Sequence, residues 1–153
     1  MSLMTVLPGG LLPPSSAEAM ARVQAVEDRV LEVPQVAIST HHVLHAGMYH
    51  RTIMIPAGTV LTGARIKIPT TLAVAGHVSV VVGEGEMEIE GYAVIPAAAG
   101  RKQAFIAHTD TWVTMSFHTS ACTVEQAEEE FTGDHARLMS RTGHNEIVIG
   151  EMP

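Results

Sequence analysis

The sequence predicts an all-β chain, an antiparallel sandwich or barrel with a short helix on either side. Three observations carry that prediction. Short runs rich in β-formers recur between residues 36 and 118, divided by Gly and Pro. No helical period interrupts them, which argues against alternating strand–helix units. Capping-box patterns occur only outside this region, at Ser15-x-x-Glu18 and Thr123-x-x-Gln126. The chain has 153 residues, 46% hydrophobic and 16% charged. That is enough for one domain with a sizeable core and excludes a disordered chain.

Each element has its own signal. After Ser15, apolar residues fall at Met20, Val23, Val26, Val30 and Leu31, an amphipathic helix closed by Pro34. The β-rich runs are 49–55, 65–68, 72–74, 78–82, 86–90, 93–95, 103–107 and 111–118. Turn signals between them include Pro56-Ala57-Gly58, Gly83-Glu84-Gly85 and Ala99-Gly100. In the last run Trp112, Thr114, Ser116 and His118 share one face, opposite Val113, Met115 and Phe117. Thr123 opens a second helix with an apolar stripe at Val124, Ala127 and Phe131, and Gly133 stops it. Residues 146–149 form an edge or exchanged strand. The expected organisation is an N-terminal arm and helix over 1–35, a barrel over 36–120, and a C-terminal helix and tail over 121–153 packed on the same domain.

Composition also excludes function classes. Nine basic against sixteen acidic residues give a net charge of −7, with no Lys/Arg cluster. Nucleic-acid binding through phosphates is therefore not expected. One cysteine, Cys122, rules out an internal disulfide and a Cys-rich zinc site. The first fourteen residues lack a basic n-region, and Pro8, Pro13 and Pro14 interrupt any membrane helix. The expectation is a cytoplasmic chain with no membrane partner.

The strand spacing, together with Ile55-Pro56-Ala57-Gly58-Thr59-Val60-Leu61-Thr62-Gly63, resembles the cupin superfamily. The order of segments is closer still to the small cupin-like proteins of tailed bacteriophages and prophages. The segments are His41-His42, Tyr49-His50-Arg51, Ile55 to Gly58, Gly63 to Lys67 and Ala98-Ala99-Gly100. Ala107-His108-Thr109-Asp110-Thr111-Trp112, His118-Thr119 and the acidic stretch Glu125 to Phe131 follow. The resemblance covers about residues 36–131 and implies a cupin-type jelly roll. It adds a possible virion association, and it leaves function open because cupins host many chemistries.

In metal-binding cupins a His-x-His pair, a Glu and a later His cage Fe, Mn, Ni or Zn. Counting from Gly58, the resemblance puts the His-x-His positions on Ala64 and Ile66 and the Glu position on Thr70 or Thr71. Counting from Gly100, the last His falls on Gln103. None of these is a strong ligand, and a shift by one residue brings in Arg65 and Lys67, which repel a cation. The expectation is a barrel without a metal cofactor, with Ala64, Ile66, Gln103, Phe105, Trp112 and His118 as candidates to line a ligand cavity.

Nine histidines sustain an alternative: a displaced site for Fe, Mn, Ni or Zn built from His118 with His42, His45 or His108. That version is a metal-dependent isomerase, dioxygenase or decarboxylase acting on a small organic acid or sugar. Metal-free binding or isomerisation of a sugar ligand, with Arg51 or Arg65 clamping a carboxylate, is a further reading. Glu84, Glu86, Glu88 and Glu90 alternate with Met87 and Ile89, the pattern of a solvated outer face. His108 beside Asp110 reads as an oriented turn histidine. The leading expectation is a non-catalytic scaffold or small-ligand-binding protein that forms a homodimer.

Overall fold

One long hairpin organises the chain. The computed structural model describes residues 12–82 and 85–152. Helix α1 (Ala17–Val30) is followed by β1 (Thr40–His45), β2 (Met48–Ile55) and β3 (Val60–Thr62). The hairpin is β4 (Thr70–Val82) with β5 (Gly85–Ala97), and β6 (Ala104–Ala107) and β7 (Thr111–His118) come next. Helix α2 (Val124–Phe131), two 3-10 turns (His135–Arg137 and Met139–Arg141) and β8 (Asn145–Ile149) complete it. No helix among the described residues is long and apolar enough to cross a membrane.

The strand order is β3-β6-β4-β7-β2-β1-β8, with β5 on the other edge of β4. All pairs are antiparallel except β1 with β8. Strand β4 changes partner part-way along: residues 71–75 pair with β7 and residues 78–81 with β6. Gly76 lies between those two stretches, opposite Gly91, and both have positive φ, at 144° and 90°. The hairpin therefore turns a corner there and curls one sheet into a half-barrel. A Cβ on Gly76 would sit 2.5 Å from Thr111 Oγ1 and 2.8 Å from Thr111 Cα.

Period-2 alternation fills the interior. Leu72, Val74, Val78 and Val80 of β4 pack with Met87, Ile89, Ala93 and Ile95 of β5 and with Val113, Met115 and Phe117 of β7. Tyr49, Val124, Ala127 and Phe131 belong to the same cluster, so α2 closes the barrel as part of its core. On α1 only Ala19 and Val23 are buried.

Several boundaries differ from the sequence expectation, each for a physical reason. The runs 72–74 and 78–82 are one strand, as are 86–90 and 93–95, because the paired glycines bend the ladder without breaking it. Residues 65–68 do not form a strand, and Ile66 makes an isolated bridge with Arg101. Ser16, not Ser15, caps α1, accepting from Ala19 N at 3.0 Å. Ser15 instead ties the helix start to the barrel, since its Oγ accepts from Lys102 N at 2.9 Å. Thr123 caps α2 as expected, accepting from Gln126 N at 3.2 Å. Strands β1 and β3 carry too many polar or too few residues to stand out in the sequence. Glu84 lies outside the described residues. Glu86, Glu88 and Glu90 are exposed, while Met87 and Ile89 are buried.

Gly76→Ala should lower the unfolding free energy by about 2–4 kcal/mol, because the new methyl group meets backbone as well as a side chain. A urea unfolding curve checks this, with Gly133→Ala as comparison, since a Cβ there meets nothing within 4 Å and the backbone is not left-handed.

Candidate functional site

The half-barrel encloses a cavity of about 200 Å³. Its walls come from β2, β3, β4, β6 and β7. The floor is the 63–66 segment, and α1, Phe131 and residues 134–139 cover the open side. The alternation of the strands decides what faces it. Ala64, Ile66, Gln103 and Phe105 are on the lining. Arg65 and Lys67 are exposed, so the 64/66 register faces inward.

Trp112 and His118 are elsewhere. On β7 the buried face is Val113, Met115 and Phe117, and Trp112 is 51% exposed. The polar face of that strand looks outward, where Trp112 and His118 border a shallow trough with Tyr92 and Val94. Apolar side chains take the interior because burying the Thr114, Ser116 and His118 polar atoms there would leave them short of partners. The six candidates thus divide into four facing the cavity and two on the opposite side of the sheet.

The sequence reasoning missed the most informative cation. Arg101 is 2% exposed and lines the cavity. Its Nη1 donates to Ala98 O at 2.6 Å and its Nη2 to Thr70 Oγ1 at 2.6 Å. Among the described residues no carboxylate pairs with it. Burial without an anion pulls its pKa down to about 10. Two residues along, Gln103 is buried and its Nε2 has no hydrogen-bond partner. Lys102 is accounted for, donating to Gly63 O at 2.9 Å with Glu27 Oε2 at 3.4 Å. The lining carries four cationic side chains, Arg51, Arg101, Lys102 and Arg137, against two carboxylates, Glu27 and Asp134. An Arg with free donors and an unused amide N–H make an environment for an acceptor-rich, anionic group.

Arg51 is committed differently. It donates from Nη1 to Glu128 Oε2 at 2.8 Å and from Nη2 to Ser140 Oγ at 3.0 Å. Arg141 Nε donates to Glu128 Oε1 at 2.7 Å, and Ser140 Oγ donates to Glu128 Oε2. Burial alone would raise the Glu128 pKa, but the hydrogen bonds from Ser140, Arg141 and Arg51 and the Arg51 charge outweigh it and hold the carboxyl below its usual range. Beside this network His42 is buried. Its Nε2 donates to Asn145 Oδ1 at 2.6 Å, and its Nδ1 accepts from the Tyr49 hydroxyl at 2.7 Å. The tautomer follows from Asn145 Nδ2, which donates to Ser140 O at 2.7 Å and so leaves Oδ1 as acceptor. Burial lowers the His42 pKa and pushes the Tyr49 hydroxyl up to about 12.

No histidine lines the cavity among the described residues. Ala64 and Ile66 have no lone pairs to donate. Thr70 Oγ1 already accepts from Arg101, and Thr71 borders the outer trough. These residues do not fit a cupin-type metal cage. The four histidines of the displaced alternative do not assemble one either. His42 is locked between Tyr49 and Asn145. His45 Nδ1 accepts from Glu151 N at 2.9 Å, and His118 is exposed on the far side of β7. His108 contacts Ser79 and His77. Asp110 accepts from Ala57 N at 2.9 Å, and it is Ser79 Oγ, at 2.7 Å, that orients the His108 ring. Arg65 is exposed, and Arg51 is held by Glu128, so neither is the free carboxylate clamp of the sequence reading.

Replacing Glu128 by Gln strands two guanidinium groups and should cost about 3 kcal/mol at neutral pH. A carboxyl with a lowered folded pKa stabilises the fold above its unfolded value and stops doing so as pH falls through the folded value. The difference between wild type and Glu128→Gln should therefore stay constant down to about pH 4.5, the ordinary carboxyl value, and close below it. Urea unfolding as a function of pH measures that gap.

No family model matches the chain, and no curated protein does. Solved structures similar to it include two named as cupin proteins and one named as an enzyme. Ectoine synthase from P. lautus is 16% identical, covering 67% of this chain and 82% of that one with a TM-score of 0.48. An RmlC-like cupin protein from Desulfovibrio desulfuricans is 20% identical, covering 57% and 91% with a TM-score of 0.44. A cupin-2 domain containing protein from Shewanella frigidimarina is 7% identical, covering 61% and 91%, also at 0.44. Two of these three are named as cupin proteins, and all three likenesses have TM-scores below 0.5.

Proposed function

We propose that this cupin-like chain is a non-catalytic binding protein that takes a small organic anion, a carboxylate, into its barrel. The observation that carries the reading is Arg101, buried without an anion on the same cavity lining as the unpartnered Gln103 Nε2. A buried cation without a counter-charge costs several kcal/mol, and a carboxylate placed between the two would offset it. The cavity, about 200 Å³, is below the range typical of drug-sized ligands, which favours a short acid. The apolar side chains Ile53, Leu61, Ile66, Phe105 and Val113 leave room for a hydrocarbon portion.

The reading includes self-association through the outer sheet face. Tyr92 and Trp112 both lie in register with Ala75, and Val94 with Ala73, so large apolar side chains flank a floor of alanines. Tyr92, Val94 and Trp112 are each half-exposed or more. A second copy of the chain would bury them. The order of sequence motifs adds the setting of a phage- or prophage-borne scaffold protein, in which a stable dimer holding a small ligand would serve as a structural unit.

Thermal unfolding with a panel of short mono- and dicarboxylates tests the binding proposal. A binder at about 100 times its dissociation constant should add roughly 2.7 kcal/mol of stability. Gln103→Leu removes the unpartnered amide, so it should leave the free protein as stable as wild type or more so while abolishing that shift. Equal stabilisation by uncharged sugars, or a shift retained in Gln103→Leu, would overturn it. For the dimer, light scattering should give twice the chain mass for wild type and the single mass for Trp112→Glu. A monomeric wild type at micromolar concentration would sink the proposal.

A further inference from the structure

On the outer face, three residues from three elements converge: His77 on β4, Glu88 on β5 and His108 in the turn between β6 and β7. Their ligand atoms all lie within 4.8 Å of one another. The register explains the meeting. Ser79 pairs with Glu88 and His77 with Glu90, so Glu88 is the diagonal neighbour of His77 on the same face. Val78 pairs with Ala107, which brings His108 alongside His77 on the other flank. His77 Nε2 contacts Glu88 Oε1, and the two imidazole rings are 4.5 Å apart between centroids.

The surrounding hydrogen bonds fix this geometry. His108 N and Thr109 N donate to His77 O at 2.8 and 3.3 Å, and His77 N donates to Thr109 Oγ1 at 3.0 Å. Thr111 Oγ1 also donates to His77 O, at 3.3 Å. The turn is therefore tied to β4 through His77 itself. Ser79 Oγ lies 2.7 Å from His108 Nε2, the kind of hydroxyl contact that orients an imidazole ligand.

We propose that His77, Glu88 and His108 form a binding site for a borderline divalent cation of the Zn²⁺ class, outside the barrel and independent of its cavity. Two imidazoles and one carboxylate are a donor set that such ions favour, and three protein ligands leave a fourth position for water or an external group. The ion would join the long hairpin to the turn that follows β6. It needs no help from the emptied cupin positions Ala64, Ile66 and Gln103, which face the other side of the sheet.

The test is calorimetric titration of Zn²⁺ into the full chain, made without a histidine tag and stripped with chelator. Wild type should bind one equivalent and unfold at a higher temperature when loaded. His77→Ala, Glu88→Gln and His108→Ala should each weaken Zn²⁺ binding at least tenfold. Glu88 and His108 are exposed, so their variants decide the matter even if His77→Ala folds poorly. His41→Ala is the comparison, because His41 and His144 share Glu146 at 3.0 and 3.9 Å elsewhere on the surface. Unchanged affinity in the Glu88 and His108 variants, no Zn²⁺ binding by wild type, or loss of the site in His41→Ala would each overturn the proposal.

Discussion

Everything in this barrel depends on the corner at Gly76. A strand of thirteen residues cannot stay flat and also serve two neighbours, β7 along one half and β6 along the other. The bend requires a backbone with φ of 144° and a neighbouring chain so close that no Cβ fits. Because the corner preserves the inward-outward alternation, Leu72 and Val74 before it and Val78 and Val80 after it all face the core. The same parity sends His77 and Ser79 outward. One glycine thus sets both where the cavity lies and which side chains gather on the outside.

The two buried guanidinium groups at the cavity illustrate opposite electrostatic solutions. Arg51 meets Glu128, which also holds Arg141 and so pins α2 to the C-terminal turns. Its charge is spent inside the protein, and its Cζ lies 5.5 Å from the centre of the Phe131 ring. Among the described residues, the oxygens that Arg101 donates to, Ala98 O and Thr70 Oγ1, are neutral. A protein that needed Arg101 merely to join Ala98 to Thr70 would gain more from an uncharged side chain. The contrast between Arg51 and Arg101 is what supports the anion proposed above for that end of the cavity.

Much of the fold is legible in the sequence, and what is not has specific causes. The last barrel strand is readable to the residue because Val113, Met115 and Phe117 alternate with small polar side chains. Strand β1 is hidden because its inward residues are Thr40, His42 and Leu44, two of them polar: Thr40 Oγ1 is buried without a hydrogen-bond partner among the described residues, and His42 is held between Tyr49 and Asn145. Glycines within β4 and β5 imitate turns, since sequence shows that a residue lacks a side chain but not that another glycine faces it. Ala64 and Ile66 can be placed on the cavity wall by counting from Gly58. Arg101 cannot, because an arginine ordinarily signals solvent and only packing reveals the missing anion. The His77, Glu88 and His108 grouping is invisible for the same reason: each is unremarkable alone, and strand register brings them together.

Strand β8 has a kinetic consequence. It joins β1 in parallel, and His42 finds Asn145 across 103 residues of chain. A ribosome releases β1 well before β8, so the outer ladder of the growing chain waits with its amide groups unmatched until β8 emerges. During that interval the fitting tail of a neighbouring nascent chain has the same sequence and the same register to offer. Crowded polysomes would then yield interlocked pairs through no contact beyond those each barrel already makes with itself.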